Sequence, residues 1–464
     1  MSAVAKLLDR RDRLRRSLNA MGASGQLGYG IPEKSLAAGL ERAPDYIGAD
    51  MGSIDPGPYY LGRGELATAT ATTRADLTRL LGAARRLDIP LLIGTAGSAG
   101  AAPHLEKTLA MVRDIAREDG LHFRLASIRA DMPRELVREA VRTGRVTPID
   151  GMAPLSEADI DEASHLVGQM GTEAFYRALQ AEADGVIAGR ACDTAIFAAV
   201  PALLGCAMGP AMHMAKIIEC ASLCCVPGGR DPILATLEGD SFVLESMNPE
   251  RRATAMSVAA HSLYEQNDPD RVAEPEGVLL VRSARYEEID DRRTRVSGAQ
   301  WIPALRPTVK LEGSVRVGER TVLLCGSCDQ RFIARIRDIL AEVTEVVRGL
   351  VCRDEPEDYR LIFRVYGIDG VYPWPAPPNP MPREIFILGE CVAPSAERAG
   401  AVVRTTKQYL LHHGFPGRLS TAGNVAFPFT PPELSGGTAY RFNVYHIMQV
   451  DELAPLFPVE IEDL

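Results

Sequence analysis

The 464-residue sequence has no surplus of basic residues: 51 Lys and Arg stand against 61 Asp and Glu, giving a formal net charge of −10. It also has no cluster of Lys and Arg with interleaved aromatic residues. Because such a surface repels a phosphate backbone, we expect no nucleic-acid partner. A small anionic ligand would have to be held by local features such as helix N-termini.

Metal and cofactor signatures are also missing. The eight histidines are scattered and have no partners at the spacing of metal ligands, so the sequence predicts no zinc or iron site. Neither the dinucleotide-binding fingerprint nor a Walker loop occurs. These absences disfavour hydride transfer and leave the cofactor unknown.

A long uninterrupted apolar segment is lacking as well. Residues 195–212 are apolar, but prolines and glycines interrupt them, and Asp193 and Lys216 enclose them. We expect two short buried helices there and no membrane span. The first 22 residues are basic and also carry acidic residues, which favours a surface helix over a signal peptide. Nine scattered cysteines, an odd number, indicate reduced thiols and a cytoplasmic protein.

Helical segments alternate with short apolar strands over residues 1–270, which predicts an α/β domain with a mostly parallel sheet. One of those predicted helices spans Asp159–Gln180. From residue 271 to 464, paired strands and two long helices predict an α+β, ferredoxin-like domain with a proline-rich loop at 371–382. We expect the first domain to carry the site and the second to close or oligomerise over it.

The first candidate site is the loop GTAGSAGAAP at residues 94–103, between a predicted strand and a predicted helix. Its glycines Gly94, Gly97 and Gly100 let a ligand approach the backbone, and Thr95 and Ser98 add hydroxyl donors. This pattern indicates a site for a carboxylate or a phosphate. A tight strand-to-helix turn without a ligand explains the same residues equally well.

A second candidate lies at the carboxyl end of another predicted strand, where Asp50 is followed by Asp55 in a loop rich in Gly and Pro. Two carboxylates there could serve acid–base catalysis or hold a divalent cation, so such a cation is not excluded. Aspartate as a turn former is the alternative. We favour a functional role for Asp50 and a turn for Asp55.

A third candidate follows the strand ADGVIAG, at the same predicted sheet edge as Gly94 and Asp50. Arg190 could clamp a carboxylate there, because its planar guanidinium can donate two parallel hydrogen bonds. Asp193 and Thr194 could take part in the site or could simply cap the next helix.

Lys216, Glu219 and Cys220 recur at helical spacing further along the same segment. An i,i+3 ion pair is the simpler interpretation of Lys216 and Glu219. Alternatively, a Lys–Glu–Cys group next to the turn VPGG, which ends in Gly228 and Gly229, suits acid–base or thiol chemistry.

The fourth candidate is the motif CGSC, with Cys325 and Cys328 between a predicted strand and a predicted helix. A C-x-x-C pair at a helix N-terminus is the pattern of thiol oxidoreductases. Because neither Trp nor Pro frames the motif and its domain is built of paired strands, redox catalysis is the minor interpretation.

Four blocks occur together and in order: ADGVIAGRACDTA, KIIEC followed by a double glycine, HSLYEQNDPD, and VSGAQWIPALRPTVKL. In this combination the chain resembles the acyclic terpene utilisation (AtuA) family from Met1 to about Leu350. The resemblance implies breakdown of branched, terpenoid-derived carboxylic acids as CoA esters. It also implies that family blocks fall on Gly189, Arg190 and Asp193, on Glu219 and Cys220, and on Gly228 and Gly229. The loop GTAGSAG departs from the family pattern, which indicates a divergent subgroup.

Together these features predict a catabolic enzyme that acts on a small or branched carboxylic acid, or its acyl-CoA ester, by proton transfer as a lyase, hydratase or isomerase. We expect Asp50, Asp193, Glu219 and Cys220 at the catalytic centre. The expected substrate contacts are Gly94, Thr95, Gly97, Ser98, Gly100, Arg190, Thr194, Lys216, Gly228 and Gly229. One alternative is a non-catalytic acyl-CoA or carboxylate-binding subunit of a larger enzyme, and another is a thiol oxidoreductase through Cys325 and Cys328. A homo-oligomer is expected, and a second subunit is left open.

Overall fold

The computed structural model describes residues 1–264, 266–352, 358–375, 378–419 and 421–464. These residues form two compact units, a larger one of Met1–Val315 with Phe442–Leu464 and a smaller one of Arg316–Arg441. The boundary predicted at residue 270 therefore falls inside the larger unit. The reason is that the strands just after residue 270 pair with one another or extend the main sheet of that unit.

The helices of the described residues are as follows: α1 Ala3–Asp9, α2 Arg11–Leu14, α3 Glu33–Glu41, α4 Pro58–Arg63, α5 Thr70–Leu87, α6 Ala102–Asp119, α7 Arg134–Arg142, α8 Glu157–Glu162, α9 Thr172–Gln180, α10 Asp193–Leu204, α11 Met208–Ile218, α12 Ala255–His261, α13 Gln330–Ala334, α14 Ile336–Val351 and α15 Ala396–His412.

The strands of the described residues are as follows: β1 Leu18–Gly22, β2 Tyr46–Asp50, β3 Leu91–Gly94, β4 Arg124–Ile128, β5 Val146–Pro148, β6 His165–Gln169, β7 Gly185–Ala188, β8 Ile233–Glu238, β9 Ser241–Ser246, β10 Arg271–Glu274, β11 Gly277–Leu280, β12 Arg285–Glu288, β13 Thr294–Ser297, β14 Gln300–Pro303, β15 Thr308–Ser327, β16 Arg360–Tyr366, β17 Ile385–Ala393, β18 Glu433–Gln449 and β19 Val459–Asp463.

A ten-stranded sheet forms the centre of the larger unit, with the order β12-β13-β9-β8-β1-β2-β3-β7-β4-β19. Its five central strands β1, β2, β3, β7 and β4 are parallel, as the alternation of helices and short apolar strands predicted. The flanking strands on both sides are antiparallel. The fold is therefore α/β, and the sheet is parallel only in its central part.

Helices cover both faces of this sheet. Leu77 and Leu80 of α5 and Leu105 of α6 pack in one apolar core. Phe175 of α9, Phe197 of α10 and the buried side chains of α11 belong to a second core. Burial on both faces explains why the central strands are almost continuously apolar in sequence.

Residues 195–212 form parts of two buried helices, α10 and α11, joined by a short turn, as predicted. Among the described residues, no helix combines the length and the apolar character needed to cross a bilayer. The prediction for the first 22 residues was wrong in part. Two short helices do form, but residues 18–22 are the buried strand β1 in the middle of the sheet.

The single helix predicted over Asp159–Gln180 was also wrong, because its middle residues form the strand β6 between α8 and α9. This strand pairs antiparallel with β15, for example Gly168 with Leu311. The partner strand lies more than a hundred residues away in sequence, and no local sequence pattern predicts the pairing.

In the smaller unit, the second half of β15 pairs antiparallel with β17, which pairs antiparallel with β16. Helices α14 and α15 pack on these strands through Val343, Val347, Val402 and Leu410. Paired strands with helices on them agree with the expected α+β character, whereas the ferredoxin-like arrangement stays a prediction. Part of the proline-rich loop 371–382, namely residues 376–377, lies outside the described residues.

Candidate active site

The carboxyl ends of the parallel strands bring together side chains that are far apart in sequence. Asp50 is the last residue of β2, Thr95 follows β3, and Arg190 lies two residues after β7. All three are buried. Ligands of open α/β sheets bind at this edge, which makes it the natural place for a site.

Arg190 is held in a buried ion pair. Its Nε and Nη2 donate to the carboxylate of Glu312 on β15, with 2.7 Å from Nε to Oε2 and 3.2 Å from Nη2 to Oε1. Its Nη1 donates to Thr95 Oγ1 and to the carbonyl oxygen of Ala191. Each guanidinium nitrogen therefore has a protein partner, so Arg190 fixes the loop after β7 and is not an open clamp for a substrate carboxylate.

The loop at residues 94–100 is buried, and its backbone is hydrogen-bonded to itself and to the end of β7. Thr95 and Ala96 donate their backbone N–H groups to the carbonyls of Gly189 and Ala188, and Gly100 donates to Ala96. A Cβ at Gly100 would lie 2.2 Å from the backbone nitrogen of Arg190, so close chain approach accounts for this glycine. The geometry thus favours the turn over the anion cradle that the glycine spacing suggested.

Asp50 is a buried carboxylate with incomplete hydrogen bonding. Its Oδ2 accepts from the backbone N–H of Gly52 at 3.0 Å, whereas its Oδ1 has no hydrogen-bond partner among the described residues. Burial and the nearby charge of Asp193 raise its pKa well above the usual range, and Arg190 opposes that shift. Asp50 therefore tends to keep a proton. Asp55, by contrast, is exposed in a turn, as expected.

Helix α11 supplies the ion pair that its spacing predicted, with 2.5 Å between Lys216 Nζ and Glu219 Oε1. Both side chains are almost fully buried. Burial and the charge of Asp193 raise the pKa of Glu219, although Lys216 lowers it. Asp193, half-buried at the start of α10, thus influences the two buried acids Asp50 and Glu219, and the three acids form one group.

The structure adds two acidic residues to this group that the sequence analysis missed. Burial raises the pKa of Glu274, the last residue of β10, to about 7, and nearby Thr194 and Cys192 limit the rise. Burial also raises the pKa of Glu276 to about 7, but Glu276 accepts from the backbone N–H of Glu173 at 2.9 Å and so caps α9. Glu274 is therefore the better candidate for chemistry.

Glu274 lies on a cavity of about 530 Å³ in the larger unit. The wall of this cavity also includes Cys192, Gln169, Lys310 and Tyr445. Lys310 Nζ lies 3.0 Å from Glu312 Oε1, the oxygen that also accepts from Arg190 Nη2. It lies 5.1 Å from the ring centre of Tyr445. The volume is in the range of small-molecule sites. Cys192 thus neighbours the acid Glu274.

The remaining predicted site residues lie elsewhere or have structural partners. Arg251 packs on Gly229 and donates through Nη1 to the carbonyl oxygen of Gly228 at 2.8 Å, so the double glycine accommodates an arginine. The backbone of Cys220 lies against Gly25. Within the described residues, no group of three or more His, Cys, Asp or Glu side chains has the arrangement of a metal site.

The CGSC motif lies in the smaller unit and lacks the features of a redox pair. Cys325 is fully buried within β15, and burial raises the pKa of its thiol to about 12. Cys328 is exposed. A catalytic dithiol requires a lowered thiol pKa, so the thiol-oxidoreductase alternative is disfavoured.

Comparison with known proteins gives one decisive result. The family model described as acyclic terpene utilisation family protein AtuA matches residues 72–429. The chain belongs to the AtuA family. No curated protein and no solved structure matches it.

The AtuA match includes Arg190, Asp193, Glu219, Glu274, Lys310 and Glu312, but it begins after Asp50. It confirms the resemblance drawn from the sequence blocks, and it extends further towards the C-terminus than those blocks. One of the blocks, HSLYEQNDPD, contains Glu265, which lies outside the described residues. Membership of the AtuA family implies a role in the utilisation of acyclic terpenes, which is consistent with a catabolic protein.

Proposed function

We propose that this AtuA-family protein is an enzyme that moves a proton on a small or branched carboxylic acid or its acyl-CoA ester, as a lyase, hydratase or isomerase. The observation that carries the proposal is Glu274, a carboxyl group with a pKa raised to about 7 in the wall of a small-molecule-sized cavity. A general acid–base works best when its pKa is near the operating pH.

In this proposal the Glu274 carboxylate removes a proton from the carbon next to the carboxyl or thioester carbonyl. The electron pair of the broken C–H bond moves towards that carbonyl. The Glu274 carboxyl then returns its proton to another carbon of an isomerised product or to a departing group. No external oxidant or reductant is required, because the step only relocates a proton.

The buried acids behind the cavity have a supporting role. Asp193 and Glu274 both influence Glu219, and Lys216 is the cation that pairs with it. Where water is excluded, several carboxyl groups with only one paired lysine cannot all be ionised, so the group retains protons at neutral pH. We infer that Asp50 and Glu219 hold protons, and that these two acids and Asp193 position Glu274 rather than contacting the substrate.

A screen for stabilisation and exchange tests this function. Purified protein is heated with branched C5 to C10 carboxylic acids and their CoA esters, with and without Mg²⁺, and each stabilising compound is then incubated with the protein in D₂O. A ligand at 100 times its Kd adds about 2.7 kcal/mol to the stability, which raises Tm measurably. We expect a stabilising compound to gain deuterium next to its carbonyl.

Stabilisation by a compound that neither takes up deuterium nor is converted to a product would contradict the proposal of an enzyme. It would favour the alternative of a non-catalytic subunit that binds the same class of ligand.

A further inference from the structure

We propose that the cavity binds its substrate as a free carboxylate and that Lys310 is the residue that anchors this group. The inference rests on the proposed function, because it narrows a carboxylic acid or its CoA ester to the acid. Arg190 is almost fully buried and each of its three nitrogens already donates to the protein, so we assign the anchor to Lys310, a cation that lies on the cavity wall.

Two cations share the carboxylate of Glu312. Glu312 is completely buried and carries a single negative charge, and two cations, Arg190 and Lys310, contact it. Arg190 is only 4% exposed, whereas the Lys310 side chain is 25% exposed. Of the two cations that share Glu312, Lys310 is therefore the one that a ligand in the cavity can reach.

Lys310 also has donors to spare. A lysine ammonium carries three N–H donors, and Glu312 accepts from it on one side while the Tyr445 ring lies near it on another. Tyr445 belongs to the same cavity wall. A substrate carboxylate at this point would give Lys310 a second counter-charge and accept a charge-assisted hydrogen bond from it. A neutral thioester carbonyl would only accept a hydrogen bond from Lys310, and a weaker one.

The rest of the cavity suits a small acid better than a CoA ester. Ile149, Val278 and Ile447 provide apolar wall for an alkyl chain. Two exposed acids, Asp150 and Asp268, also line it, against one exposed arginine, Arg271. The phosphates of CoA would meet these acids on leaving the cavity, and like charges in proximity oppose binding.

Calorimetry with matched ligands tests the proposal. Branched C5 to C10 carboxylates are titrated into the full-length protein at pH 7, followed by their primary amides, which have nearly the same shape without the charge, and by their CoA esters. We expect at least one acid to bind about ten- to a hundredfold more tightly than its amide, the range of a charge-assisted hydrogen bond. The CoA ester is expected to bind more weakly than the acid.

Three variants locate the effect. Lys310→Met should abolish the preference for acid over amide, Lys310→Arg should retain it, and Lys34→Met, which removes an exposed lysine of α3, should leave it unchanged. Equal binding of acid and amide, tighter binding of the CoA ester, an unchanged preference in folded Lys310→Met, or binding of none of the acids overturns the proposal. If Lys310→Met does not fold, the comparison of acid, amide and ester on the wild-type protein decides alone.

Failure of this inference is distinguishable from failure of the proposed function. Tight binding of an acid without deuterium exchange would support carboxylate binding by Lys310 and contradict the proposed catalysis. Deuterium exchange into a CoA ester, with no binding of any acid, would support the proposed catalysis and contradict carboxylate binding by Lys310.

Discussion

Arg190 and Glu312 are 122 residues apart in the chain, yet Arg190 Nε lies 2.7 Å from Glu312 Oε2 with both side chains inside the larger unit. This contact joins the loop after the parallel strand β7 to the strand β15. Removal of one partner from such a pair leaves the other charge buried and uncompensated.

The first prediction concerns this pair. Glu312→Gln should reduce the free energy of unfolding by about 3–5 kcal/mol, because the buried Arg190 and the partly exposed Lys310 then lose their common counter-charge. Asp270→Asn, which breaks the pair with the largely exposed Arg282, should cost much less. Urea denaturation followed by circular dichroism measures both, and equal effects would contradict the importance assigned to burial.

The second prediction concerns the backbone approach at Gly100. Gly100→Ala should destabilise the protein by more than Gly120→Ala, although both glycines have φ near +60° to +70°. The added Cβ at Gly100 would collide with the Arg190 backbone at 2.2 Å, whereas the one at Gly120 would meet nothing within 4 Å. The difference between the two melting temperatures isolates the collision from the backbone strain. Equal losses would show that the approach of the two loops is not a constraint.

The third prediction follows from the pKa of Glu274, which burial raises from 4.5 to about 7. For an acid whose pKa is higher in the folded state, the contribution to stability is full below pH about 4.5 and is lost as the pH rises through about 7. Wild-type stability should therefore fall between pH 5 and 8. Glu274→Gln should reduce that fall by about 1–3 kcal/mol.

Denaturant melts at several pH values measure this slope. The exposed acid Glu250 provides the control, since Glu250→Gln should retain the wild-type dependence on pH. A Glu274→Gln protein with the full wild-type slope would contradict the assignment of a raised pKa to Glu274.

The fourth prediction separates the two cysteines of the CGSC motif. Cys328 is exposed and should be alkylated by iodoacetamide in the native protein, whereas the buried Cys325, with a thiol pKa of about 12, should react only after unfolding. Peptide mass spectrometry after timed labelling measures both. Rapid native labelling of Cys325 would restore the redox alternative.

Much of the larger unit could be predicted from the sequence, because its parallel strands and covering helices are encoded by local periodicity. Strand β2, helix α6 and the paired helices α10 and α11 have the positions that their apolar patterns predicted. The Lys216–Glu219 pair could be predicted for the same reason, since both residues belong to one helical turn.

The site itself could be predicted only in part, because three of its residues come from distant strands. Glu274, Lys310 and Glu312 were assigned to a separate domain, and their approach to Arg190 and Asp193 depends on pairings such as that of β15 with β6. The signal that was present is the alternation of charged and apolar residues in Val309–Glu312, with charges on one face of a strand.

The rate of deuterium exchange as a function of pH tests the central claim, that Glu274 is the acid–base group, most directly. The exchange is measured by NMR on an acid or ester that stabilises the protein, with wild-type, Glu274→Gln and Glu250→Gln proteins. Wild-type exchange should rise with pH and level off above about 7, because the base must be deprotonated. Glu274→Gln should be slower by about 10²- to 10⁴-fold and Glu250→Gln unchanged. A folded Glu274→Gln protein that exchanges at the wild-type rate would contradict the account.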